Sequence, residues 1–293
     1  MRNRDMKALY HYCSTESFHA IVESHSVWLS SLSLSNDTME GRLVAEVIAR
    51  LAGKDSLQED AIRRLQDSVE TIEHTIDGLG FCLSEEADLL SQWRGYAANG
   101  TGVAIGFSPD YLVWLAEKSK GGRKTGFTLE KVAYHPSEHE SLVGPTYREV
   151  EKIIASGTYR LPIVRRIFDE RRESDFEQLR TDARKANQRI SLKMLELFGI
   201  LFRLKSYAFR EECESRLLSY VFKGAKNQCL YRAARDRIIP YCKIDLLELE
   251  RRPIAEVILG PKHLTPRRPI EEFLKRNQYG VVPVRRSAAS YRG

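Results

Sequence analysis

The sequence predicts an α+β fold, and three observations carry that expectation. Short apolar runs with strand character fall early and late in the chain, a long charged stretch with helical spacing lies between them, and no regular strand-helix-strand repeat appears. At 293 residues with 42% hydrophobic content, the chain is long enough to fill a proper core. We expect one α+β domain over 1–293, with a mostly helical insertion at about 146–204.

The first strand is expected at Ala8 to Cys13. Ser14 and Thr15 end it and suit the N-cap of a helix running to about Ser24, in which Phe18, Ile21 and Val22 share a stripe. Val27 to Ser31 reads as a second strand, Ser35-Asn36-Asp37 as a turn, and Met39 to Leu51 and Leu57 to Ile76 as helices. Asn36, Asp37 and Glu40 suit a turn and a helix N-terminus. From Gly78 the pattern changes to strand (Gly80 to Leu83), short helix (Leu89 to Tyr96) and strand (Gly102 to Phe107, after the Asn99-Gly100 turn). Gly100, Gly102 and Gly106 do not form GxGxxG and open a strand, so a dinucleotide-binding turn of the Rossmann kind is rejected.

After a short strand at Val132 to Tyr134, the span Thr146 to Leu204 is expected to be mainly helical. Strands return at Ser215 to Phe222, Ile238 to Lys243 and Ile254 to Leu259. Pro266 and Pro269 precede a helix at Ile270 to Asn277, and Val281 to Arg285 closes the chain as a strand.

The net charge of +6 favours an acidic partner such as nucleic acid or a phosphorylated small molecule. Five scattered cysteines without a CxxC pair point to a reduced, cytoplasmic protein without a zinc site. The apolar stretch from Leu192 to Leu204 is interrupted by Lys193, Glu196 and Arg203 and is too short to span a membrane.

The segment of greatest chemical interest is FREECESR, Phe209 to Arg216. As a strand it places Glu212, Glu214 and Arg216 on one face, either as a solvent-facing charged row or as a cleft that handles a polar substrate. A region rich in arginine, with Arg165, Arg166, Arg171, Arg172, Arg180, Arg184, Lys185 and Arg189, is mixed with acids and reads as a solvated helix face.

LYHYCS (Leu9 to Ser14), SNDTME (Ser35 to Glu40), CLSEEADLLSQWRGYAANGTGVAIGF (Cys82 to Phe107) and FREECESR, followed by VILGPK and VRRSAASYR, resemble the bacterial domain-of-unknown-function family numbered 2971. The sequence departs from that pattern at Phe209, where Trp is typical, and at Cys13, where Thr is typical. A looser resemblance is to the ADP-ribosyltransferases: a His on a first strand, aromatic residues on the next, and Glu-x-Glu at the head of a late strand.

That second resemblance implies a mixed sheet of the ADP-ribosyltransferase kind and an enzyme of the glycosyltransferase class, with NAD as substrate. Glu214 would hold the nicotinamide ribose and stabilise an oxocarbenium-like centre, and Glu212 would orient or deprotonate the acceptor. His11 would contact the adenosine ribose, and backbone groups at Tyr12 and Cys13 would meet the nicotinamide amide. Tyr10, Trp28, Trp93 and Tyr96 would supply stacking faces, and Arg216 would bind pyrophosphate or pair with one of the glutamates.

The acceptor is expected to be a macromolecule, RNA or single-stranded DNA being favoured over protein, and the physiological role that of a toxin or anti-phage effector with a neutralising partner protein. Two other readings stay open: a metal-dependent nuclease using Glu212 and Glu214 as ligands, and a non-catalytic module that binds nucleic acid.

Overall fold

Strands outnumber every other element in the first of two compact units that the computed structural model divides into: residues 1–36, 77–132 and 208–293 form this unit, and 37–76 with 133–207 form the other. The structure describes residues 7–35, 39, 41–120, 126–159, 173–224, 229–234 and 236–289.

The sheet unit begins with β1 (Leu9–Cys13), α1 (Thr15–Ser24) and β2 (Ser26–Ser31), close to expectation. The Ser14 side chain accepts from the Ser17 N–H at 3.2 Å, the cap expected from its sequence position. The helices α2 (Leu43–Lys54) and α3 (Glu59–Thr75) follow, then β3 (Ile76–Ser84). Ile76, expected on the apolar stripe of the preceding helix, is instead the first residue of β3, because the helix stops one residue earlier and Ile76 is already extended.

The short α4 (Leu90–Gly95) leads to β4 (Val103–Phe107) and then to α5 (Pro109–Ser119), a helix the periodicity reading passed over. Ser108 caps it and Pro109 stands in its first turn. The strand expected at Val132 to Tyr134 lies earlier, as β5 (Thr128–Lys131), with only an isolated bridge at Ala133 to Leu204 beyond it. α6 (Pro136–Ala155) starts ten residues before the expected helical span, and α7 (Glu173–Leu195) lies inside it. β6 (Glu214–Phe222), β7 (Leu230–Ala234), β8 (Arg237–Asp245), β9 (Ile254–Leu259), α8 (Arg267–Arg276) and β10 (Val284–Arg286) complete the order. Asn36, Asp37 and Glu40, and Arg165, Arg166, Arg171 and Arg172, lie outside the described residues.

The strands run in the order β10-β9-β4-β1-β3-β2-β8-β7, with β6 attached to β3 and β5. Only β9 and β10 are parallel among the registered pairs, a mixed sheet that fits the α+β expectation. Two glycines permit the close approach at the start of β4: a Cβ on Gly102 would meet Cys13 O at 2.1 Å, and one on Gly260 would meet Gly100 O at 2.3 Å.

One feature of this topology positions the candidate site. β1 joins β3 at Tyr10 to Ser84, whereas β2 joins it at Ser30 to Gly80 and Ser31 to Leu79. The two strands that α1 connects therefore attach to β3 at different heights.

On one sheet face, Leu9, Cys13, Phe81, Leu83, Ile105 and Leu217 join α1, α5 and α8 in the main core. On the other, Tyr10 and Tyr12 pack with Trp93, Ala104 and Ile258. In the helical unit α2 packs on α3 and α6, and α6 on α7. Phe176, Ala183, Ala186, Ile190 and Met194 form the buried stripe of α7, while Arg184, Lys185 and Arg189 stay exposed, as a solvated face requires.

Candidate functional site

The charged motif folds differently from a simple strand. Tyr207–Glu212 form a 3₁₀ helix, Cys213 adopts a left-handed conformation with φ 42°, and β6 begins only at Glu214. Cys213 N bonds Arg210 O at 3.3 Å, and Cys213 O accepts from Glu85 N at 2.9 Å, so this turn is anchored on both sides. Glu212 is therefore not a strand neighbour of the other two charges, which corrects the expected three-residue row.

Glu214 and Arg216 do share a face of β6. Arg216 Nε donates to Glu214 Oε1 at 2.7 Å and Nη2 to Oε2 at 2.8 Å, a two-pronged pair whose side chains are only 6% and 1% exposed. Arg216 is thus engaged by Glu214. Glu212 is buried as well, and its Oε1 accepts from the Tyr96 hydroxyl at 2.9 Å. Ser84 Oγ donates to Glu212 O at 2.7 Å, tying this turn to the end of β3.

The residues expected to hold NAD separate onto two faces, because β1 alternates. Tyr10 donates to Glu256 Oε1 at 2.6 Å, and Arg285 Nε donates to the other oxygen of that carboxylate at 2.9 Å. Burial and the Glu256 carboxylate push the Tyr10 phenol well above its usual range. Tyr12 donates to Glu86 O at 2.8 Å, accepts from Leu89 N at 3.0 Å, and meets Trp93 edge to face at 4.9 Å. Trp93 is fully buried and donates to Asp88 at 2.6 Å, so it offers no face to a ligand. The Cys13 thiol is buried, which raises its pKa far above the usual thiol range, and its backbone lies in the β1–β4 ladder opposite Val103. Of the expected aromatics, Tyr96 is 44% and Trp28 is 40% exposed.

His11 projects from the opposite face of β1 and stacks on Phe81 at 4.1 Å. Its Nδ1 lies 2.9 Å from Cys82 O. A carbonyl can only accept, so Nδ1 carries the proton. Burial holds the His11 pKa down to about 4, against a smaller opposing effect of that hydrogen bond, and the ring is neutral at physiological pH. Nε2 is then a lone-pair acceptor.

His11 lines a cavity of about 180 Å³ in the gap between β1 and β2, whose other walls include α1, Trp28, Ser30, Phe81 and Arg232. Trp28 stacks on Tyr241 at 4.4 Å. Arg232 Nη2 reaches Ser30 Oγ at 3.3 Å, while its Nε is buried without a hydrogen-bond partner. Neither Glu212 nor Glu214 lines this cavity.

The sequence reading missed Arg232 because it missed β7. The signal was there: Leu230 to Ala234, then Asp236, then the expected strand at Ile238, is the pattern of a hairpin.

The volume is smaller than the roughly 300 to 1,000 Å³ of a site that engulfs a drug-sized ligand. It fits one ring-sized part of a larger molecule. NAD meets that test in part: a neutral histidine acceptor suits a ribose hydroxyl, an aromatic wall suits a flat ring, and an arginine with an unused buried N–H suits a phosphate. Among the described residues, no group of three or more His, Cys, Asp or Glu gathers where it could hold a metal ion. No helix among them is long and apolar enough to cross a membrane.

Residues 92–217 match a family model described as "Protein of unknown function (DUF2971)". That family model is the one whose motifs the sequence resembles. The matched segment contains Trp93, Tyr96, Glu212, Glu214 and Arg216, whereas His11, Trp28, Phe81 and Arg232 precede or follow it. No curated protein and no solved structure matches the chain.

Proposed function

We propose that the chain is an ADP-ribosyltransferase that takes NAD as substrate and transfers ADP-ribose to a macromolecule. The observation that carries this reading is the cavity between β1 and β2, where the neutral His11 acceptor, the exposed Trp28 face and the unsatisfied Arg232 donor converge. In that arrangement His11 Nε2 accepts from a ribose hydroxyl, Trp28 stacks on a ring and Arg232 meets phosphate. NAD itself supplies the labile bond between nicotinamide and ribose.

The carboxylates enter this proposal on different terms. Glu214 is paired by both prongs of Arg216, so its charge is already compensated before a substrate arrives. Glu212 is also buried, and it accepts from the hydroxyl of the exposed Tyr96. We assign nucleic acid as the acceptor on the strength of the +6 net charge, which steers a polyanion. The setting is a bacterial cytoplasm, with the role of a toxin or anti-phage effector.

Titrating NAD while following tryptophan emission tests the site. We expect saturable quenching that is lost in Trp28→Phe and weakened at least tenfold in Arg232→Met. Label from NAD should then move into the nuclease-sensitive fraction of a lysate. Absence of both binding and label transfer would refute the transferase, and label that survives nuclease would move the acceptor to protein.

A further inference from the structure

The hairpin that brings Arg232 to the cavity also brings two thiols together. β7 and β8 pair Leu230 with Tyr241 and Arg232 with Ile239, so extending the same register by one residue sets Cys229 opposite Cys242. Directly opposite residues of an antiparallel ladder lie about 4.5 to 5.5 Å apart at Cα, inside the roughly 4.4 to 6.8 Å that a disulfide spans. The two side chains are hydrogen-bond partners, neither is in a disulfide, and both cysteines are partly exposed. Cys82, by contrast, is exposed on β3, and Cys13 is buried on β1.

We propose that Cys229 and Cys242 form a dithiol site that closes to an intrachain disulfide when a disulfide oxidant such as oxidised glutathione is present. The roles of the two thiols are unequal. Burial and the neighbouring thiol push Cys242 up to about 11, whereas the hydrogen bond it gives Cys229 offsets part of the burial that raises the latter. Cys229 ionises first and attacks a glutathione sulfur, forming a mixed disulfide and expelling one glutathione thiolate. Cys242 then loses its proton and attacks the Cys229 sulfur, breaking the mixed disulfide and releasing the second glutathione. One oxidised glutathione thus becomes two reduced ones, and the protein loses two hydrogens. The link ties the start of β7 to β8, and β8 is paired in turn with β2, where Cys242 stands opposite Leu29.

The experiment equilibrates the full chain with graded ratios of reduced to oxidised glutathione, blocks free thiols with iodoacetamide, and maps the peptides by mass spectrometry. We expect Cys229 and Cys242 to lose their alkylation together and appear as one linked peptide, restored by dithiothreitol. Cys242→Ser should arrest the reaction as a glutathione adduct on Cys229, and Cys229→Ser should leave Cys242 alkylated. A wild-type protein that keeps both residues alkylated in excess oxidised glutathione, or that keeps a stable adduct on Cys229, would overturn the proposal. The linked peptide in wild-type protein decides the matter even where a serine variant fails to fold.

Discussion

Replacing Arg216 by Met would expose how much the fold depends on the β6 ion pair. With Nε and Nη2 at 2.7 and 2.8 Å from the Glu214 oxygens, the attraction at an effective dielectric of about 20 is roughly 6 kcal/mol. Removing both charges from water costs several kcal/mol per ion, so the intact pair contributes close to nothing relative to well-packed apolar residues. Losing one partner is another matter. Arg216→Met removes the cation from a carboxylate that is 6% exposed, and the expected cost is about 3 to 5 kcal/mol out of a total stability of about 5 to 15. Urea unfolding followed by circular dichroism should show this as a large drop in midpoint, and the double variant Glu214→Leu with Arg216→Met should recover most of it. A single variant within about 1 kcal/mol of wild type, or a double variant as unstable as the sum of the two singles, would refute the argument. The same reasoning governs Glu214→Gln: it leaves Arg216 facing a neutral amide, so any loss of activity must be judged beside the variant's unfolding midpoint.

His11 gives a pH prediction of definite sign. Its folded pKa of about 4 lies below the usual 6.5, so the unfolded chain takes up a proton first, and stability should fall by about 1.4 kcal/mol per pH unit as pH drops from 6.5 towards 4. Urea midpoints across that range should lose this one-proton slope in His11→Gln; an unchanged slope would assign it to other groups. Asp88→Asn should cost about 2 to 3 kcal/mol, because Asp88 accepts from Trp93 Nε1 at 2.6 Å, Ser287 Oγ at 2.5 Å and Ala288 N at 2.6 Å. Hydrogen exchange at Ala288 and Ala289 should quicken in that variant, and protection equal to wild type would show that the tail is held elsewhere. Burial raises the Asp88 pKa, but the hydrogen bonds from Ser287, Trp93 and Ala288 outweigh it and leave the group below the usual carboxylate value. Its share of the stability is therefore present at neutral pH and lost on acidification through that depressed pKa.

Much of the architecture was legible because local signals agreed with tertiary packing. Ser14 before Phe18, Ile21 and Val22 specified both the cap and the buried stripe of α1, and the apolar run Leu217 to Val221 specified the interior of β6. The failures have physical causes. α5 opens with Ser108-Pro109, strong start signals, but its apolar residues Leu112, Leu115 and Ala116 follow directly on a strand. β7 is exposed or half-exposed at every position, so the hairpin pattern alone, without a buried apolar face, announced it. At Cys213, a non-glycine residue in left-handed backbone, nothing in the local sequence signals the break between Glu212 and Glu214.

The candidate site was harder to read than the fold, and strand parity explains why. LYHYCS presents a compact run of chemically attractive residues, yet a strand must send neighbours to opposite faces. Tyr10 and Tyr12 consequently serve the Glu256, Glu86 and Trp93 contacts, while His11 faces a cavity completed by residues 17 and 221 positions away, Trp28 and Arg232. The FREECESR motif obeys the same logic: the pair that remains in phase, Glu214 and Arg216, neutralises itself. Chemistry at this cleft therefore turns on Arg232, whose buried Nε–H is unsatisfied, and on His11, whose tautomer leaves an acceptor. Neither property is a feature of a residue type or of a spacing. Both arise when β1 and β2 attach to β3 at different heights and β7 folds back on β8 beside the gap.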